Sequence, residues 1–385
     1  MTVYLDNAST TFPKPKVVAD SIYNYLVNIG GNANRSNHSN ALESNREVFL
    51  AREKIAKFFN YDKIENVIFT NNITSSLNIL IKGTLKRGDH VITSSIEHNS
   101  VIRPLISCKE NLGVEVDFVG VSKDGFINPC EVEKLIKSNT KLVVLTHASN
   151  VIGTIQPIKE IGAICKKHNV FFIIDTAQSA GTVPIDFNEI NASALAFTGH
   201  KSLFGPQGIG GFIISDELNE VCTPLMEGGT GSLSHEIHQP NFMPDKFECG
   251  TLNMPGIVGL SNAIDFINEV GINNIKAKNS KLYKKLLNGI LDIDEFEVYG
   301  DITGSKSTTS LSFNLKGIEP SELSFLLESN GVSNRSGLQC APMCHESIGT
   351  FPDGTVRLSI SYFNTEEDIN YALLVLRKIR DKFFA

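Results

Sequence analysis

The residues with the most chemical promise form one short run, Thr198-Gly-His-Lys201, followed by Ser202-Leu-Phe-Gly205-Pro-Gln-Gly208-Ile-Gly210-Gly211. A lysine that is to form a Schiff base must be held, partly desolvated, at the end of a rigid element. Glycines beside it let backbone approach a phosphate or a ring closely. On its own the run also reads as a surface turn. Asp175 narrows the choice. It ends the apolar run Val170-Phe-Phe-Ile-Ile-Asp175 and precedes Thr176-Ala-Gln178, and a carboxylate there is costly to bury unless a cation faces it. A protonated pyridine nitrogen is such a cation, and the pair keeps the ring an effective electron sink. The alternative is an aspartate that caps a following helix. Asp175 and Lys201 lie 26 residues apart, a spacing that suits neighbouring units of one sheet.

The frame for these residues is legible in the hydropathy pattern. Short β-branched runs, Asn66-Val-Ile-Phe-Thr70, His90-Val-Ile-Thr93, Lys141-Leu-Val-Val-Leu-Thr146 and Val170 to Asp175, read as buried strands, with amphipathic stretches such as Pro157 to Asn169 between them. Strand–helix alternation predicts an α/β fold, a mostly parallel sheet covered by helices on both faces. Ligands in such sheets sit at the carboxyl ends of the strands. Asn71–Ser75, Glu97–His98, Asn150, Asp175 and His200–Lys201 all follow strand ends, which places them on one rim. Near Pro255 the pattern changes to a helical stretch, strands near Glu297–Tyr299, Ser310–Asn314 and Thr355–Ser361, and helices from Pro320 and Thr365. This reads as a smaller α+β domain.

The chain has 385 residues, which suits two domains and a large core. A net charge of -7 argues against nucleic acid or an acidic membrane surface as the main partner. Seven cysteines, at positions 108, 130, 165, 222, 249, 340 and 344, are odd in number and irregular in spacing. The first residues lack the basic and apolar stretches of a secretion signal. No apolar run approaches the roughly 20 residues of a membrane helix. The expectation is a cytoplasmic protein with free thiols. No second cysteine pair completes a four-ligand set with Cys340, Cys344 and His345, so no metal is expected.

Tyr4-Leu-Asp-Asn-Ala8, Glu97-His-Asn99, His147-Ala-Ser-Asn150-Val-Ile-Gly153, Asp175-Thr-Ala-Gln178, Thr198-Gly-His-Lys201, Gly250-Thr251, Arg335-Ser-Gly-Leu-Gln-Cys340 and Thr355-Val-Arg357-Leu-Ser stand in this order along the chain. Together they resemble the class V, fold-type I aminotransferase superfamily, and within it the cysteine desulfurases and selenocysteine lyases. The resemblance implies a large domain with a seven-stranded sheet at 16–255, a small C-terminal domain at 256–385, and an N-terminal segment, 1–15, packed with the small domain. It implies pyridoxal 5'-phosphate on Lys201, which also shuttles the Cα proton, with Asp175 at the pyridine nitrogen. Gln178 and Asn150 match positions near the ring's phenolic oxygen, and His98 the catalytic histidine that stacks on the ring and assists proton transfer. Thr74, Ser75, Thr198 and His200 match phosphate contacts. Thr74 and Ser75 also open a helical stretch whose N–H groups suit an anion. Gly250 and Thr251 match a pair that reaches the phosphate of a second subunit, which makes a homodimer part of the site.

By the same resemblance Arg357 binds the substrate carboxylate, a task for a planar bidentate cation. Arg35 and His38 fall where related enzymes place a substrate-facing segment. Cys340 matches the catalytic cysteine, whose thiolate attacks the sulfur of L-cysteine. The implied reaction yields L-alanine and an enzyme persulfide, with the sulfur passed to an acceptor protein for iron–sulfur or thio-cofactor assembly. Only 16 residues separate Cys340 from Arg357, which resembles the Suf-type class with a restricted cysteine loop. Gln339 stands where relatives often have histidine, and Cys344 is an additional thiol. Selenocysteine lyase, or another class V aminotransferase or carbon–sulfur lyase, is the alternative.

Overall fold

A computed structural model describes residues 2–33 and 38–384. Strand β1 (Val3–Tyr4) lies apart from the main sheet. That sheet holds β2 (Val67–Thr70), β3 (His90–Ser94), β4 (Glu115–Val119), β5 (Thr140–Thr146), β6 (Phe171–Asp175), β7 (Ala194–Thr198) and β8 (Gly210–Ile214), in the order β2-β8-β7-β6-β5-β3-β4. All neighbours are parallel except β8, which runs antiparallel to both β2 and β7. The expected α/β architecture with a mostly parallel, seven-stranded sheet is therefore present. Its strands are continuous apolar runs because helices cover both faces.

The register brings the polar strand ends together. Thr146 pairs with Asp175, and Asp175 with Ala196. Gly210 pairs with both Thr70 and Thr198, so the loop after Thr70 and the turn after Thr198 leave the sheet side by side. A Cβ at Gly210 would meet the carbonyl oxygen of Phe197 at 2.8 Å and the backbone of Asn72 at 3.0 Å. Only glycine permits that approach. Gly210 and Gly211, which read as part of a glycine-rich loop, instead begin β8.

The smaller sheet holds β9 (Phe296–Tyr299), β10 (Ser310–Leu315) and β12 (Val356–Ser359), antiparallel in the order β12-β10-β9, while β11 (Val332–Ser333) pairs in parallel with β1. Val3 and Leu5 belong to this sheet's core, with Leu286, Phe313, Leu358 and Leu376. The helix Met254–Val270, whose pattern placed it in the small domain, packs elsewhere: Ile257, Leu260, Ile264 and Ile267 join Ala51, Ile55 and Leu203 in the large core. The next helix, Ile272–Leu291, passes from one core to the other, with Ile275 in the large and Leu282 in the small. Amphipathic spacing shows that a helix has a buried face; it does not show which core receives it. Among the described residues no helix is long and apolar enough to cross a membrane.

Candidate active site

Asp175 ends β6 with 2% of its surface exposed. Its Oδ1 accepts the N–H of Ala177 at 2.8 Å. Burial raises its pKa, against the opposing pull of that N–H and of Lys201. Lys201 follows β7 on the neighbouring turn. Burial lowers its amine to about 8, and Arg357 and Arg335 push the same way, while Asp175 and Cys340 oppose. The amine is thus half-way to its neutral, nucleophilic form near pH 8. The structure brings Lys201, Asp175, Arg335, Arg357 and Cys340 into one electrostatic neighbourhood.

His98 caps the helix Asn99–Leu112. Its Nδ1 accepts the N–H of Ser100 at 3.0 Å. A backbone N–H can only donate, so the ring's hydrogen resides on Nε2. Burial lowers His98 to about 4, helped by Lys201, Arg335, Arg103 and Arg357, and the ring is neutral at physiological pH. Glu97, beside it, is wholly buried. Ser94 Oγ and the N–H of Thr146 donate to its Oε1 at 2.5 and 3.0 Å, while Oε2 has no partner among the described residues. Burial raises Glu97 to about 8, so it stands as a neutral acid at pH 7.

Thr198 Oγ1 and His200 Nδ1 are buried polar atoms without a hydrogen-bond partner among the described residues. Burial lowers His200 to about 4. Asn72 caps the helix Ile73–Thr84 by accepting the N–H of Ser75 at 2.9 Å, so Ser75 serves as a capping partner here. Thr74, in the same first turn, is exposed, and its N–H has no intrahelical acceptor. Gln178 Nε2 donates to Ala8 O at 3.1 Å, and Asn150 Nδ2 to Gln339 O at 2.8 Å.

Arg357, on β12, is 2% exposed. Its NH1 donates to Asn150 O at 2.9 Å, and its NH2 to Asp6 Oδ1 at 2.9 Å and to Ser9 Oγ at 3.0 Å. Its Nε is buried without a partner. Arg335 pairs with Arg357 in an antiparallel bridge. It donates to Ser9 Oγ at 3.2 Å and points NH2 at Cys340 Sγ, 3.7 Å away. Sequence reasoning cited Arg335 only as part of a motif and gave it no role; its place beside the thiol was not encoded in any local pattern.

Cys340 is exposed at the tip of its loop, with φ of 61° following Gln339 at 39°. Its carbonyl accepts the N–H of Asn99 at 2.8 Å, which ties the loop to the residue after His98. Gln339 is the loop's anchor: its Nε2 donates to Thr355 O at 2.8 Å and its Oε1 lies 2.9 Å from His345 Nε2. Cys344 is fully buried with Ile96, Val151, Ile152 and Ala341, and burial pushes its thiol up to about 12.

The other expected site residues make no contact with these groups among the described residues. His38 caps the helix Ser39–Phe58, accepting the N–H of Ala41 at 3.3 Å. Arg35 lies outside the described residues. Gly250, with φ of 84°, and Thr251 are exposed. They end a segment whose Leu225, Met226, Leu233, Ile237 and Phe242 are also exposed, Ile237 at 92%.

A parallel sheet with a buried aspartate at one strand end and a desolvated lysine at the next is the frame of one broad class of enzymes. The chain belongs to the aminotransferase class-V family, whose model matches residues 3–372. Within that class it is similar to proteins that carry the name cysteine desulfurase. A "Probable cysteine desulfurase" of Methanothermobacter thermautotrophicus is 37% identical over 372 residues, 95% of this chain and 92% of that one. The apo cysteine desulfurase of Thermococcus onnurineus superposes with a TM-score of 0.94 at 30% identity, over 99% of this chain and 95% of that one. The Escherichia coli cysteine desulfurase CsdA gives 0.89 at 26% identity, over 99% and 95%.

The cofactor of this family is pyridoxal phosphate, and the residues present fit it. Asp175 is a buried carboxylate that forms no ion pair among the described residues, and a pyridinium N–H would supply its missing cation. Thr198 Oγ1, at the end of the neighbouring strand, and His200 Nδ1 lack partners among the described residues and are available to a phosphate or ring substituent.

Proposed function

We propose that the chain is a pyridoxal-phosphate-dependent cysteine desulfurase, converting L-cysteine to L-alanine and leaving the sulfur as a persulfide on Cys340. The observation that carries this reading is the Cys340 thiol, exposed on its loop at 3.7 Å from Arg335 NH2 and within the electrostatic reach of Lys201. Bound pyridoxal phosphate supplies an electron sink for charge at the substrate Cα. Lys201 holds the cofactor, takes the proton from Cα and later returns it. Asp175 keeps the ring nitrogen protonated. Thr74, Ser75, Thr198 and His200 hold the phosphate, with Gln178, Asn150 and neutral His98 around the ring. Arg357 receives the substrate carboxylate, in exchange for part of its bonding to Asp6 and Ser9. The Cys340 thiolate, with Arg335 NH2 3.7 Å from its sulfur, attacks the substrate sulfur. The new S–S bond forms as the Cβ–S bond breaks, and the electron pair left on carbon takes up a proton to give alanine.

The same reading makes the enzyme a cytoplasmic homodimer. Leu225, Met226, Leu233, Ile237 and Phe242 are exposed in the segment before Gly250-Thr251, and a second copy would cover them while Thr251 reached the neighbouring phosphate. The loop is tied down at Gln339 and Asn99, and the helix Pro342–Ser347 follows at once. Cys340 therefore has little reach, and an acceptor protein must come to it. The test is incubation with cysteine while alanine and sulfide are measured with and without reductant. Lys201→Ala should abolish turnover and the cofactor's visible band. Cys340→Ser should keep the band and lose nearly all activity. Full desulfuration by Cys340→Ser would refute the persulfide step.

A further inference from the structure

Lys14 is a half-buried cation that none of the steps above uses. Its Nζ donates to the carbonyl oxygen of His200 at 2.5 Å. Burial lowers its pKa to about 8, and among the described residues no carboxylate pairs with it. Desolvating an ammonium is costly, and the bond to His200 is the compensation the structure provides.

That bond does not stand alone. The same oxygen accepts the N–H of Thr11 and the hydroxyl of Thr10, each at 3.1 Å. The carbonyl of Lys201 accepts the Thr11 hydroxyl at 2.9 Å and the N–H of Phe204 at 2.9 Å. The segment 10–14 thus grips both peptide carbonyls that frame Lys201, and its one charged donor makes the strongest of these bonds. A few residues earlier the same segment is fixed to other parts of the site, through Ala8 O to Gln178 and through Asp6 and Ser9 to Arg357.

We propose that Lys14 is a positioning residue for Lys201: its ammonium, with Thr10 and Thr11, holds the His200–Lys201 turn so that the Lys201 side chain meets the cofactor at a fixed angle. The inference rests on Lys201 carrying the cofactor. A misplacement of about 1 Å at a reacting group costs on the order of a hundredfold in rate, so loss of one of several tethers should be felt in turnover while substrate affinity is kept.

The test compares holoenzyme with Lys14→Met and Lys14→Gln variants. Visible circular dichroism per bound cofactor reports the cofactor's orientation, and kcat and KM are measured separately. Lys14→Met should lose about half of the visible ellipticity and about tenfold in kcat, with KM within about twofold. Lys14→Gln keeps a donor without the charge, should fall between the two, and carries the test should the methionine variant fail to fold. Unchanged visible ellipticity and kcat in either folded variant, whatever its melting temperature, would overturn the proposal and leave Lys14 a packing residue. Lys201→Ala serves as the separate control: if it keeps the visible band, it is the assignment of Lys201 that fails.

Discussion

The two halves of the site are held in place by different means. On the large-sheet rim, Asp175, Thr198 and the start of the lysine turn are fixed by ladder register, strand against strand. On the small-domain side, Cys340 stands on a loop fixed by a handful of contacts: Gln339 to Thr355 and His345, and Asn99 to the Cys340 carbonyl. The rim suits a cofactor that stays bound. On the proposed function, the loop suits a thiol that touches substrate and then an acceptor. The contrast teaches that cofactor state and sulfur transfer should respond separately to mutation.

Asp175→Asn should produce the largest effect among rim substitutions that leave Lys201 intact. On the proposed function it removes the carboxylate that would face the ring nitrogen, and we expect kcat to fall by about 10² to 10³-fold with a shifted cofactor absorbance. Wild-type turnover would show that the rim's charge is not needed. Gln339→Ala is the matching break on the loop. It leaves the Thr355 carbonyl and a ring nitrogen of His345 without their buried partners, at about 1–3 kcal/mol each. Activity on cysteine should fall about tenfold while the cofactor's visible spectrum stays that of wild type. A changed spectrum would merge the two regions.

Glu97→Gln sharpens the rim's electrostatics. Folded Glu97 binds its proton up to about pH 8, whereas an unfolded glutamate releases it near pH 4.3. The native state therefore holds the extra proton between those values, and this residue's contribution to stability falls as pH rises through that window. Melting curves from pH 5 to 8 should show the variant gaining on wild type as pH rises; a constant difference would contradict the assignment. Cys344→Ala should have the smallest functional effect. A thiol pushed up to about 12 supplies almost no thiolate, so activity should stay within about twofold. A large loss in multiple turnover alone would give Cys344 a part in sulfur transfer.

Much of the rim was legible in the chain. Apolar runs of β-branched residues announce strands, and polar residues directly after them land on the carboxyl edge, as Asp175 and Lys201 do. What was hidden depends on long-range packing. Gly210 and Gly211 carry no strand signal of their own, yet β8 needs them because Asn72 and Phe197 crowd that position. The helix Met254–Val270 has the spacing for a buried face but no mark of which core it joins. Lys14 reaches its partner, His200, only across 186 residues of chain. No local pattern encodes that.

The most direct test of the central claim is mass spectrometry of the protein after brief exposure to L-cysteine without reductant. The peptide that contains Cys340 should gain one sulfur atom, reversibly by thiol treatment, and Cys344 should gain none. Release of alanine in stoichiometric amounts with no added sulfur at Cys340 would contradict the account.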